Sequence, residues 1–350
     1  MSSTAVSTAT VAPTGSTQRL SFFKNNTGIP VEDRNPQLHR WIAGGTFGGP
    51  IIKDKLFYYV GYQHLHISDQ ETGVTLIAVP PGLSDTNRTA AGLAMIANNY
   101  WGETDTSNGF TVGPSDWANN PVGLALFQAK LPNGQWLIPN DNGHIPDPLS
   151  PSNAFETGTS YFTSDQAVGG LDWNASPKDL VSLKYYYQHD PNSSPYGTSS
   201  VPRFTVFMDT GSQVASINNV QTIRPTFSLT ETFGYLREKA YSTNEQPWAP
   251  GQAGTPAAGM TTAFGSYFPG ITIIDALGSY GSSLGLPQQM LNIGPSAANQ
   301  GPYTGIFQNR FMPSASGIWT KGNHSVTFGG SYAYTQLNVR DRSRSLFRRG

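Results

Sequence analysis

Residues 40 to 62 read RWIAGGTFGGPIIKDKLFYYVGY. Four glycines, Gly44, Gly45, Gly48 and Gly49, precede Pro50, and an aromatic run follows. Ala43-Gly44-Gly45-Thr46-Phe47-Gly48 comes within one residue of the dinucleotide fingerprint G-x-G-x-x-G. That motif must open a helix whose N-terminus meets the phosphates. Here Pro50, a charged turn and a β-rich stretch come next, so the segment reads as a hairpin. Leu56, Tyr58, Val60 and Tyr62 fall on one face, taken as outward, and Phe57, Tyr59, Gly61 and Gln63 on the other.

The same period of two recurs downstream. Val181, Leu183, Tyr185 and Tyr187 oppose Ser182, Lys184, Tyr186 and Gln188. Phe227, Leu229, Phe233 and Tyr235 oppose Thr226, Ser228, Thr230 and Thr232, with Glu231 misplaced on the apolar side. Val326, Phe328, Tyr332 and Tyr334 oppose Ser325, Thr327, Ser331 and Thr335. Aromatics on one face and small hydroxylated residues on the other suit a wall between lipid and a watery lumen.

Connections alternate in length. Short ones fall at Pro50 to Asp54, Asn174 to Lys178, Arg224 to Pro225 and Thr320 to Asn323, each with turn-forming residues. Long ones run roughly from Asn25 to Leu38, Ser68 to Ser160, Asp190 to Asp209 and Ser242 to Gln308. In an antiparallel meander this puts the turns on one rim and the loops on the other, the asymmetry of outer-membrane barrels. Strands of about ten to fourteen residues exceed the usual globular length and suit a tilted crossing. Trp173 and Trp319, each beside a turn, predict one aromatic girdle; Trp41, Tyr186, Tyr187, Tyr332 and Tyr334 predict the other.

Composition agrees. Only 12% of the 350 residues are charged, and 38 Gly and 26 Pro disfavour long helices. A net charge of -1 lacks the basic footprint of a nucleic-acid binder. Arg340, Arg342, Arg344, Arg348 and Arg349 form one basic cluster, read as a solvated segment. With no cysteine, disulfides and thiolate metal sites are excluded. No apolar run reaches the length of a membrane helix, so any membrane crossing must use strands. The leader MSSTAVSTATVAPTGST has no basic segment and no apolar stretch of the signal-peptide kind, and residues 1–17 are expected to be disordered.

GGTFGGPIIKDKLFYYVGYQ, residues 44 to 63, resembles the early-barrel hairpin of TonB-dependent outer-membrane transporters of the Oar-like group. VGGLDWNASPKDLVSLKYYYQHD, TIRPTFSLTETFGYLRE and ASGIWTKGNHSVTFGGSYAY resemble later hairpins of that family, in order. The resemblance implies an outer-membrane barrel in lipid, gated by a plug domain and energised through TonB. The expected fold is all-β, an antiparallel meander of about nine strands from Gln18–Lys24 onward, within residues 18–340. A complete barrel of this kind has roughly 22 strands, so an N-terminal barrel portion is expected, residues 341–350 beginning a further loop or strand. No plug, TonB-contacting box or terminal aromatic strand is identifiable.

The expected function is uptake of a scarce solute, such as a siderophore or oligosaccharide, across the bacterial outer membrane, without catalysis. No hydrolase or NTPase signature occurs, and neither catalytic, cofactor nor metal residues are assigned. His64-Leu65-His66 has two imidazoles on one face but no third ligand. Asp141-Asn142-Gly143 with Asp147 reads as a plain turn rather than a calcium loop. Solute contacts are expected from loop aromatics, Trp101, Trp117, Trp136 and Trp248, whose rings can stack on sugars or planar ligands; packing between loops is the competing role for the same rings. The alternatives are a secreted soluble β-rich glycan-binding protein, and a β-rich hydrolase, which would bring two carboxylates into one cleft.

Overall fold

The structure is a computed structural model and describes residues 38–70, 74–77, 79–80, 82–100, 121–142, 154–245, 268, 271–274, 290–294 and 304–340. The elements in chain order are β1 (Leu38–Ile52), β2 (Leu56–Asp69), β3 (Val74–Ile77), α1 (Ala90–Tyr100), α2 (Pro121–Gln128), β4 (Ala154–Thr157), β5 (Ser160–Ser176), β6 (Asp179–Ser194), β7 (Val206–Arg224), β8 (Phe227–Asn244), β9 (Ile271–Ile274), β10 (Met290–Ile293), β11 (Thr304–Lys321), β12 (His324–Ser331) and β13 (Tyr334–Arg340). The expected first strand, Gln18–Lys24, lies outside the described residues, as do residues 1–17 and 341–350.

One antiparallel sheet runs β1-β2-β5-β6-β7-β8-β11-β12, and β13 continues β12 along β11. The interruption at Tyr332–Ala333 has a local cause. Tyr332 N–H donates to the Pro313 carbonyl at 2.9 Å, but Pro313 has no N–H to return, so the ladder loses a rung. Turns fall where the sequence placed them, at residues 53–55, 177–178, 225–226 and 322–323. Asp54 and Gly322 adopt positive φ, 60° and 59°, as tight reversals require.

The register has a constant stagger. The row through Leu56 crosses Val181 against a strand start at Asp179, Glu231 against Phe227, and Gly330 against His324, a drift of two residues per hairpin. Such steady shear is what tilted barrel strands need.

Register also assigns the faces. One carries Leu56, Tyr58, Val60, Tyr62, Leu171, Leu183, Tyr185, Ile217, Phe233 and Phe328; the other carries Gln63, Gln166, Lys184, Asn218, Thr232 and Ser314. Glu231 sits on the apolar face opposite Asn219, as its sequence position implied. Trp173, Trp319 and Trp41 share that face and stay exposed at 48%, 42% and 40%. Toward the loop rim the face turns polar immediately after a tyrosine on three strands: Tyr62 gives way to His64, Tyr187 to His189, Tyr235 to Arg237. The outer girdle therefore includes Tyr62, Tyr187, Tyr235 and Tyr334; Tyr186, expected there, lies on the polar face, because its neighbour Tyr187 occupies the outward position.

Strands run longer than expected, up to the 19 residues of β7. The expected loop 190–209 shrinks to residues 195–205 because polar residues pair across strands above the girdle. His189 Nε2 meets Asp209 Oδ1 at 2.7 Å, and Lys239 Nζ meets Asp209 Oδ2 at 2.8 Å.

The hydrophobic core lies outside the sheet. Ile77, Leu93, Leu126, Phe127, Leu137 and Ile138 from the first long loop are buried with Val201 and Phe204 from the second and Phe268, Leu291 and Ile293 from the third. Phe204 and Phe268 rings meet at 5.0 Å, and Ser200 N–H donates to the Asn292 carbonyl at 2.8 Å. Three loops thus fold as one cap, which includes helices α1 and α2, the β3–β4 ladder and the β9–β10 ladder.

Candidate functional site

The cap holds a pocket of about 510 Å³ where the first and second long loops meet. Its floor begins with a turn ahead of α1. Asn87 Oδ1 accepts from Ser84 N–H and Asn87 Nδ2 donates to the Gly82 carbonyl, both at 2.8 Å. Gly82 N–H donates to Asp141 Oδ2 at 2.8 Å, which gives the Asp141 turn a structural task. Thr89 Oγ1 accepts from Gly92 N–H at 3.1 Å, an N-cap that starts the helix.

This turn aims Asp85 and Arg88 toward a second hairpin, Ala129 to Leu137. Leu137 N–H donates to the Ala129 carbonyl at 2.9 Å, and Gly134 closes the reversal with φ 86°. The hairpin presents Trp136. Its Nε1–H donates to Asp85 Oδ1 at 2.7 Å, and Asn140 Nδ2 donates to the same oxygen at 2.7 Å. Arg88 and Lys130 each place their charge 4.4 Å from the Trp136 ring centre, a doubled cation–π contact.

Arg88 is 3% exposed, and its guanidinium donates to the Phe127 and Ile138 carbonyls at 2.8 and 2.9 Å and to Asn140 Oδ1 at 2.6 Å. Burial brings its pKa down to about 10, so it stays charged at neutral pH. The hydrogen bonds from Asn140 and Trp136 hold the Asp85 carboxyl below its ordinary value. Glu156 on β4, Gln135 and Pro202 complete the wall. The chemistry is an aromatic ring amid carboxylates, amides and an ammonium, suited to gripping a polar solute.

Of the tryptophans expected to touch solute, Trp136 lines this pocket; Trp101, Trp117 and Trp248 lie outside the described residues. Asp85, Lys130, Asn140 and Glu156 escaped the sequence reading because they converge through tertiary contacts between distant segments. Asp85 and Glu156 do share one cleft, but Asp85 Oδ1 is already engaged by two donors. His64 and His66 bond Asp165 and Thr163 on β5 at 2.7 and 3.3 Å. Among the described residues no group of three or more His, Cys, Asp and Glu converges to hold a metal. Of the C-terminal arginines only Arg340 is described.

A staggered antiparallel wall with an apolar outer face, aromatic girdles, short turns on one rim and a loop cap on the other defines a transmembrane β-barrel segment. The family model of the outer membrane beta barrel domain matches residues 19–350, and the chain belongs to that family. The protein is therefore placed in the bacterial outer membrane, with its apolar face toward lipid, and the secreted soluble alternative falls away. Among solved structures the chain is similar to the outer membrane transporter YddB from Escherichia coli, at 11% identity and a TM-score of 0.44, covering 86% of this chain and 26% of that one. The toluene transporter TbuX from Ralstonia pickettii matches at 8% identity and a TM-score of 0.21, covering 85% of this chain and 59% of the other. The chain thus spans about a quarter of the length of YddB. No curated protein matches it.

Proposed function

We propose that this chain is part of the barrel of a TonB-dependent receptor that takes up a scarce solute, such as a siderophore or oligosaccharide, without catalysing a reaction. The observation that carries the reading is the cap: three long loops share one hydrophobic core, and the first two shape a 510 Å³ pocket. The cap captures the solute, with Trp136 among its contacts. A plug domain gates the lumen and TonB supplies the energy, as in the family that residues 44 to 63 resemble. The doubly engaged Asp85 suits a binding role better than acid–base work.

The test is accumulation of fluorescent ferric siderophores and oligosaccharides by cells making the intact gene product, with TonB present or deleted. Energy-dependent accumulation of one class, lost with TonB and reduced by Trp136→Ala, is expected. Accumulation that proceeds equally without TonB would sink the proposal.

A further inference from the structure

The lumen-facing wall carries two grooves built without charged side chains. The first, about 340 Å³, spans β1, β2, β5 and β6 and is lined by Thr46, Gln63, Gln166 and Tyr186, with the apolar Ile42 and Val168, around Gly44 and Gly61. A Cβ on Gly61 would stand 3.0 Å from Val168 Cγ1 and 3.2 Å from Thr46 Cγ2, and one on Gly44 would stand 2.6 Å from the Tyr62 carbonyl oxygen. Gly44 and Gly61 are therefore positions of close approach between β1, β2 and β5, and the groove lies beside them on the lumenal face of the strands rather than at a helix N-terminus.

The second groove, about 380 Å³, spans β8, β11 and β12. Thr230, Thr232, Ser314, Ser316, Thr327 and Ser331 line it, and the Thr232 hydroxyl donates to Asn218 Oδ1 at 2.8 Å. Charged residues on the same face, Arg40, Asp69, Asp172, Lys184, Asp190, Glu238 and Arg310, line neither groove. Two of them are already partnered: Ser182 Oγ donates to Asp172 at 2.7 Å, and Gln188 donates to Asp190.

Amide and hydroxyl groups donate and accept side by side, which matches the hydroxyls of a sugar. An anionic metal chelate would lose hydration in such a groove and meet no cation among the residues lining it. The Tyr186 ring supplies an apolar flank. We infer that the solute handled by this wall is a neutral, polyhydroxylated one, an oligosaccharide, which binds along the lumenal grooves after the cap; this rests on the transporter reading above.

The experiment uses the intact gene product in detergent micelles, probed with an array of neutral oligosaccharides and, separately, with ferric citrate as the anionic chelate. At least one neutral oligosaccharide is retained, and the double variant Gln63→Ala/Gln166→Ala weakens it at least tenfold, with Thr230→Val/Thr327→Val weakening it severalfold. Heat-dependent gel mobility verifies that each variant is folded. Retention of ferric citrate with no neutral glycan bound overturns the inference, and so does glycan binding untouched by either double variant. TonB-dependent uptake of ferric citrate would keep the transporter reading while removing this one; glycan binding at the grooves with TonB-independent accumulation would do the reverse.

Discussion

The wall and the cap solve opposite solvent problems with the same amino acids. In the wall, Leu183 is 38% exposed, Ile217 45% and Phe328 54%, because bilayer lipid is their partner. In the cap, Phe127, Leu137 and Ile138 are at most 1% exposed, because water surrounds the loops and apolar side chains must bury one another. The wall is held by backbone ladders between adjacent strands; the cap is held by side-chain packing between three loops. Each can therefore be broken without the other.

The largest effect is expected in the cap. Phe127→Ala removes a ring at the centre of the shared core and costs about 3–5 kcal/mol of cap stability. Hydrogen exchange should show the amides of residues 82–100 and 121–142 losing protection while those of β6 and β7 keep theirs. Simultaneous loss in the strands would mean that the two regions fold as one unit.

The wall has its own sensitive direction. Leu183→Arg puts a cation on the lipid face and costs about 2–4 kcal/mol if the site lies near mid-bilayer. Ser182→Arg, one residue away, points into the lumen beside Asp172 and should be nearly neutral. Refolding into liposomes under urea measures both. Equal costs would overturn the face assignment. Glu231→Leu is the milder converse: it removes a carboxyl from the apolar face and should stabilise by up to about 1 kcal/mol in the same assay.

The wall was legible in the sequence because a strand writes its burial at period two and each hairpin closes within a few residues. Val181 to Tyr187 needs no distant information to declare its face. The upper strand ends were not legible. His189, Asp190 and Asp209 look like loop residues until His189 and Lys239 are seen to share the Asp209 carboxylate across three strands. The cap core was hidden for a related reason: Phe127, Phe204 and Leu291 come from separate loops with no common period. Trp136 could be singled out by type, but nothing local links Asp85 to it across 51 residues.

The smallest effect separates the two regions by acid. Asp85 has a folded pKa below its ordinary 3.8, since Asn140 and Trp136 donate to its carboxylate. A carboxyl whose folded pKa is depressed contributes stability that is fully present above the unfolded value and fades as pH falls through the folded one. The cap pocket should therefore hold at neutral pH and begin to loosen below about pH 4, as protonation releases the Trp136 Nε1–H and Asn140 donors. Trp136 is the reporter. With the other six tryptophans replaced by Phe, its emission should shift red over that window, and Asp85→Asn should flatten the transition. The outward residues Leu56, Tyr58 and Val60 pair with Trp173, Leu171 and Gly169 and carry no carboxylate, so strand protection there should persist through the same window. A red shift of equal size in the Asp85→Asn protein would assign the acid response to some other carboxylate and detach Asp85 from the pocket's stability.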